Sequence, residues 1–236
     1  MARSRRPSAQ TEIVDCRRCE RLVQYREQVA REKVKRFRDW DYWGRPVPSL
    51  GDSSARLLVI GLAPAAHGGN RTGRVFTGDR SGDWLYRALF RFGFANQPQS
   101  IDCNDGLKLI DCYITAAVHC APPDNKPLPS EYANCRPYLL DELNLLKNVR
   151  VVVPLGLVAF KTYFTARKEM RWPNPSPLPM FGHGLSAQLT DGVTVISSYH
   201  PSQQNTLTGK LTEAMLDDVF RKVRHILDRP TPSLKR

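Results

Sequence analysis

Two groups of residues in this chain have the types and spacing to do chemistry. The first is made of thiols: Cys16-Arg-Arg-Cys19 is a pair spaced by two residues, and Cys120 and Cys135 add two more at a longer interval. Four thiolates hold either a [4Fe-4S] cluster or a zinc ion, and the residue types leave the two open. A lone pair in a basic helix is often incidental, and the second pair weighs against that reading. Cys103 and Cys112 read as ordinary loop or buried thiols. The second group lies in three loops, Gly61-Leu-Ala-Pro-Ala-Ala-His67 through Asp79, Ala121-Pro-Pro-Asp-Asn-Lys126, and His200-Pro-Ser-Gln-Gln-Asn205. Phe76 offers a ring for stacking or for the core. Asp79 offers a carboxylate for proton transfer or for capping a helix near Ser81. His200 offers an imidazole N–H to a developing oxyanion, or simply orders its loop. Gly61 to Ala65 can present open backbone amides, and Asn125 can place a water or merely occupy a turn.

The chain of 236 residues carries 35 Lys+Arg against 23 Asp+Glu, a net charge of +12 and a pI near 9.7, which favours a polyanionic partner. Charge gives the class of partner and not the reaction. No apolar run approaches the roughly 18 residues that span a bilayer, and the N-terminus lacks the apolar centre of a secretory signal. The expected setting is the cytoplasm, in association with the nucleoid.

The elements that must position these residues are legible as alternating strands and helices. Residues 1–11 read as a disordered basic arm, 12–228 as one domain and 229–236 as a disordered tail. An amphipathic helix, broken once, is expected between Asp15 and Arg38. Strands are expected at 56–61, 111–118 and 150–154, and a hairpin around Asp191-Gly192. Helices are expected at 83–94, from a Ser130 cap to about Lys147, at 157–164 and at 211–227. This order predicts a three-layer α/β/α sandwich on a central, mainly parallel, four-stranded sheet. Such sheets carry their ligand loops at the carboxyl ends of the strands, where all three suggestive loops fall.

The motifs 61–67, 70–74, 76–79 and 200–205, with the cysteine pattern, resemble the uracil-DNA glycosylase superfamily, and most closely its family 5 (type b) enzymes. The resemblance runs from Cys16 to Asn205. It implies a structural [4Fe-4S] cluster on Cys16, Cys19, Cys120 and Cys135. It also implies an enzyme that flips a deaminated base out of double-stranded DNA and hydrolyses its N-glycosidic bond, leaving an abasic site. In that frame Asp79, Asn125 and His200 are the catalytic candidates, and Gly61, Ala63, Ala65, Asn70 and Phe76 line the base pocket. Arg71, Arg74, Arg80 and Lys126 are phosphate contacts, while Ser202, Gln203, Gln204 and Asn205 form a polar wedge that probes the orphan base. His67 and Asn70 are weaker candidates for the pocket chemistry, and one copy of the chain suffices.

Two departures matter. Related families carry an acid or amide immediately before the motif proline or one position earlier, where this chain has Leu62 and Ala63, so a base must come from elsewhere. Strict uracil enzymes carry an asparagine in the strand that here reads Ile114-Thr-Ala-Ala117, so the resemblance implies a relaxed range: uracil, hypoxanthine and, at its edge, xanthine. Competing readings are a cluster-bearing binding module without turnover and an electron carrier, the latter leaving both motifs unexplained. A covalently trapping relative of family 4 needs a nucleophilic histidine that the 71–80 stretch lacks.

Overall fold

A computed structural model describes residues 13–229, so the basic arm and all of the tail beyond Arg229 lie outside it. Four short runs of β-branched and apolar residues form the parallel centre of the sheet: β2 (Leu57–Gly61), β3 (Cys112–Ala116), β4 (Val151–Pro154) and β6 (Thr194–Ile196). Their pairing is parallel throughout, with β2 between β3 and β4, and β6 outside β4. Two short antiparallel edges, β1 (Leu50–Gly51) and β5 (Ser186–Gln188), extend the sheet to six strands in the order β1-β3-β2-β4-β6-β5. The expected four strands are therefore its core, and two edges are added. β1 is too short to show any periodicity. β5 is the first arm of the Asp191-Gly192 hairpin.

Because strand side chains alternate between faces, each parallel strand feeds two cores. Leu57, Val59, Ile114, Val151, Val153 and Ile196 pack on one face against α3 (Arg80–Arg91) and α7 (Glu213–Asp228). Leu58, Ile60, Tyr113, Val152 and Val195 pack on the other against α4 (Pro129–Leu145) and α5 (Leu157–Glu169). Side chains of this size, fully buried, contribute about 1.5–3 kcal/mol each before entropy is charged. The three-layer sandwich follows directly from the alternation.

Some element ends differ from expectation for local reasons. α4 is capped at Leu128 and not at Ser130: Pro129 occupies the first turn, and the Glu131 carboxylate accepts the Leu128 N–H at 2.7 Å. α3 begins at Arg80, because the Asp79 side chain accepts the Gly82 N–H at 3.0 Å. The amphipathic segment is α1 (Glu20–Glu32), broken at Lys33 (φ 54°) and followed by a 3₁₀ turn at Lys35–Phe37.

Candidate active site

The carboxyl ends of the parallel strands are laced together beyond the strands themselves. Ala117 N–H bonds to Gly61 O (3.0 Å), Leu155 N–H to Ile60 O (2.9 Å) and Gly156 N–H to Ser198 O (2.8 Å). Loops distant in sequence are thereby brought to one edge. Phe76 sits there with φ 51°, a left-handed conformation that costs a phenylalanine energy and persists only where the surroundings impose it. Its ring lies on Gly61, where an added Cβ would come within 2.8 Å of two ring carbons. Beside it is His200, with ring centroids 5.8 Å apart and planes inclined by 30°. Gly156 completes this wall: a Cβ there would lie 3.5 Å from the His200 Cβ.

Burial pushes the His200 imidazole down to about 4, so at neutral pH it is an uncharged N–H donor. The loop that carries it is held by Asn205, whose side-chain amide donates to His200 O at 2.8 Å. The preceding residue, Tyr199, is held by His183, a neutral tautomer that accepts the Tyr199 N–H at Nδ1 (3.1 Å) and donates from Nε2 to Met215 O (3.1 Å).

One Asp79 carboxylate oxygen, Oδ1, caps α3, and the other, Oδ2, lies against Gly68, where an added Cβ would stand 2.2 Å from it. Burial raises this carboxyl above the ordinary range, against the opposing pull of the Gly82 and Ser81 N–H groups. A half-buried carboxylate with a raised affinity for protons is suited to taking one from water. Gly68 was not singled out in the sequence, although the Gly68-Gly69 pair was a signal of a close approach.

Several expected pocket or phosphate residues are placed elsewhere. Asn70 is fully buried and donates from Nδ2 to Arg26 O at 3.1 Å, in the seam between α1 and the short helix α2 (Gly69–Thr72). The Arg71 guanidinium lies 3.8 Å from the Phe37 ring centroid and 4.0 Å from that of Trp40, and donates to His67 O and Gly78 O. Arg74 is buried in an ion pair with Asp105 (2.6 Å) and also bonds Thr77 and Ser100. Burial would raise Asp105, but Arg74 and the Leu107 and Ile101 amides outweigh it and hold the carboxyl at about 2. Arg71 and Arg74 thus brace the loop from inside and do not face a phosphate. Ala63 packs its side chain against the cysteines, and Ala65 uses its carbonyl to accept the Gly68 and Asn70 N–H groups. His67 pairs with Tyr42 at 3.0 Å.

Arg80, Asn125, Lys126, Gln203 and Gln204 are exposed, and Ser202 is half-buried as the N-cap of the short helix α6 (Gln203–Leu207). Asp124 and Asn125 both have positive φ, 53° and 55°, in a 3₁₀ turn at Pro123–Asn125. Arg21 of α1 steadies the end of that turn, donating to Lys126 O and holding Glu131 with two hydrogen bonds.

The four cysteines of the sequence pattern share one cluster with Ile13, Leu22, Val118 and Tyr138. Burial pushes the Cys120 thiol up to about 11 and the Cys135 thiol up to about 12, so thiolates here need positive charge beside them. The donors are present: Arg26 to Cys120 Sγ at 2.8 Å, Asn134 to Cys19 Sγ at 3.4 Å and the His119 N–H to Cys135 Sγ at 3.5 Å. Among the described residues no group of three or more His, Cys, Asp or Glu side chains stands in position to hold a metal ion as they lie. The convergence of thiols and the donors directed at three sulfurs nevertheless fit a metal–thiolate centre. Cys103 is exposed and Cys112 is buried in the main core, both away from this cluster.

No helix among the described residues is long and apolar enough to cross a membrane. The family model described as the uracil DNA glycosylase superfamily matches residues 48–224. A type-5 uracil-DNA glycosylase of Mycobacterium leprae is 50% identical over 223 residues, covering 93% of this chain and 95% of the relative. That of Thermus thermophilus is 45% identical over 217 residues, 91% of this chain and 94% of the relative. A type-4 enzyme of Thermotoga maritima is more distant, 28% identical over 172 residues, 72% of this chain and 77% of the relative. With the motif loops gathered at one sheet edge and the family match spanning most of the chain, the protein belongs to the uracil DNA glycosylase superfamily.

Proposed function

We propose that this chain removes uracil, and with it hypoxanthine and xanthine, from double-stranded DNA by hydrolysis of the N-glycosidic bond, leaving an abasic site. The observation that supports the reading is the packing of the Phe76 ring on Gly61 and beside His200 at the carboxyl end of β2. The flipped base stacks on Phe76 and meets the backbone amides of Gly61 to Ala65. His200 donates its N–H to the base carbonyl oxygen on which charge gathers as the C1′–N bond breaks and the electron pair leaves with the base. Water adds to the sugar carbon and gives its proton to Asp79, whose negative charge also favours the cationic sugar. Asn125 helps to position that water. Because His200 is neutral, its contribution is a hydrogen bond and not a transferred proton.

The relaxed range is supported by Ala116 and Ala117, buried residues that have no side-chain amide with which to read a Watson–Crick edge. The exposed Arg80 and Lys126 suit phosphate contacts, and Ser202, Gln203 and Gln204 suit a polar wedge, with Asn205 anchoring their loop. For the thiol site the resemblance favours a [4Fe-4S] cluster over zinc. Bound there by Cys16, Cys19, Cys120 and Cys135, it supplies a rigid cross-link between α1, the β3 loop and α4, and no step of base removal.

The test is base release from labelled duplexes holding one uracil, hypoxanthine or xanthine. Release of uracil and hypoxanthine is expected, with xanthine slower. Release of uracil alone would remove the broad range, and binding with no release from any duplex would leave a binding module in place of an enzyme.

A further inference from the structure

Arg26 is the most deeply buried guanidinium near either site, and the established family chemistry gives it no task. It lies on α1, only 2% exposed, among the thiols. One terminal nitrogen donates to Cys120 Sγ at 2.8 Å, and the other donates to Cys16 O at 3.2 Å. Its backbone carbonyl accepts the Asn70 side-chain amide at 3.1 Å. Asn70 belongs to α2, the short helix between the Gly61–His67 motif and Phe76, and Gly44 N–H in turn bonds to Asn70 O at 3.0 Å. A single residue thus touches a ligand sulfur, the backbone of a second ligand residue and the loop that carries the pocket.

A buried guanidinium is expensive to hold away from water unless a negative partner faces it. Among the described residues no carboxylate hydrogen-bonds the Arg26 side chain, the neighbouring Glu27 bonding Arg17 instead, and its Nε is buried without a hydrogen-bond partner. Among the described residues the side-chain acceptor it meets is the Cys120 sulfur, so its charge is compensated when that sulfur carries negative charge, as a metal-bound thiolate does.

We propose that Arg26 is a positioning residue for the thiolate centre, its guanidinium stabilising the cluster-bound Cys120 sulfur and bracing the Cys16 backbone. The proposal rests on the [4Fe-4S] reading given above. A positive donor on a cluster sulfur favours the more negative, reduced form, so its loss moves the reduction potential downward and loosens the metal.

The experiment compares the full-length protein with Arg26→Gln and Arg26→Lys. It measures iron and sulfide content, the rate of iron release to a chelator and the reduction potential by protein-film voltammetry. Arg26→Gln is expected to release iron on the order of tenfold faster than the parent, as losing an outer-shell partner does, with a more negative potential. Arg26→Lys restores the charge without the two-pronged geometry and falls between them. If both variants match the parent in release rate and potential, Arg26 has no such role, although the cluster stands. A parent that carries no iron or sulfide would overturn the cluster reading and this proposal with it. Should Arg26→Gln fail to fold, Arg26→Lys alone decides through its potential.

Discussion

The loop after β2 and the loop after β6 meet at Phe76 and His200, and they are built in opposite ways. Between Gly61 and Asp79 the chain is braced from within: Asn70, Arg71, Thr72, Arg74 and Thr77 are all buried and hydrogen-bonded to backbone or to one another. From Tyr199 to Leu207 Pro201 and the His200 imidazole are turned away from solvent, and Gln203 and Gln204 face it on a single short helix. The braced loop holds Phe76 in a strained conformation and keeps Asp79 half-buried, tasks that need rigidity. In the proposed function the sparse loop enters DNA beside the flipped nucleotide, where the exposed Gln203 and Gln204 are free to meet the orphan base while Asn205 holds the loop's base.

The sharpest way to break this contrast is to remove a brace. Arg74→Met leaves the buried Asp105 carboxylate unpaired and is expected to cost about 3–5 kcal/mol in urea unfolding. A loss comparable to that of an exposed ion pair would mean the loop is not built on Arg74. On the other side of the pocket, His200→Ala is expected to lower single-turnover base release by about 10²–10³-fold, the usual consequence of losing an oxyanion donor. It should leave DNA binding nearly unchanged.

His200 also makes a pH prediction. Its folded value, about 4, lies below the 6.5 of an unperturbed histidine, so the unfolded chain binds the proton first as pH falls. Stability contributed by the neutral ring is present above about 6.5 and is lost as pH falls toward 4. Denaturation series at several pH values should show a shallower loss across that window for His200→Gln than for the parent. An identical slope would mean that the ring is solvated.

Smaller effects sharpen the distinction between internal and external cations. Arg80→Ala or Lys126→Ala should weaken duplex binding and reduce the slope of log affinity against log salt by about 1 each, whereas the slope should not respond to Arg74→Met. Smallest of all, Gln203→Ala with Gln204→Ala should cost about 1–3 kcal/mol of discrimination between partners opposite the lesion, read as the ratio of release rates. An unchanged ratio would remove the wedge from those residues.

Much of this was legible in the sequence because it rests on local pattern. The parallel strands announce themselves as Leu57–Ile60, Tyr113–Ile114 and Val151–Val153, and Asp191-Gly192 marks its hairpin. β1 was not legible, since two residues carry no period. α5 runs to Glu169, past its apolar start, because Ala166 and the fully buried Arg167 still face the core, the latter bonded to Pro173 O and Asn174. The site divided along the same line. The four cysteines and the Phe76, Asp79 and His200 positions were readable as residue types. The inward turn of Arg71 and Arg74 was not, because Phe37, Trp40, Ser100 and Asp105, which enclose them, are remote in the chain. An arginine in a glycine-rich loop reads as a phosphate contact until its partners are seen.

The central claim is that the braced loop delivers a working carboxylate at Asp79 and not only a helix cap. Asparagine caps a helix about as well as aspartate but cannot accept a proton from water, so Asp79→Asn separates the two roles. The direct measurement is single-turnover uracil release from a duplex by the parent, Asp79→Asn and Asp79→Ala, with unfolding free energies measured in parallel. The account predicts that Asp79→Asn keeps the parent's stability to within about 0.5 kcal/mol while release falls at least about 10²-fold. Parent-like release by Asp79→Asn, with a loss only in Asp79→Ala that tracks its stability, would make Asp79 a cap alone and contradict it.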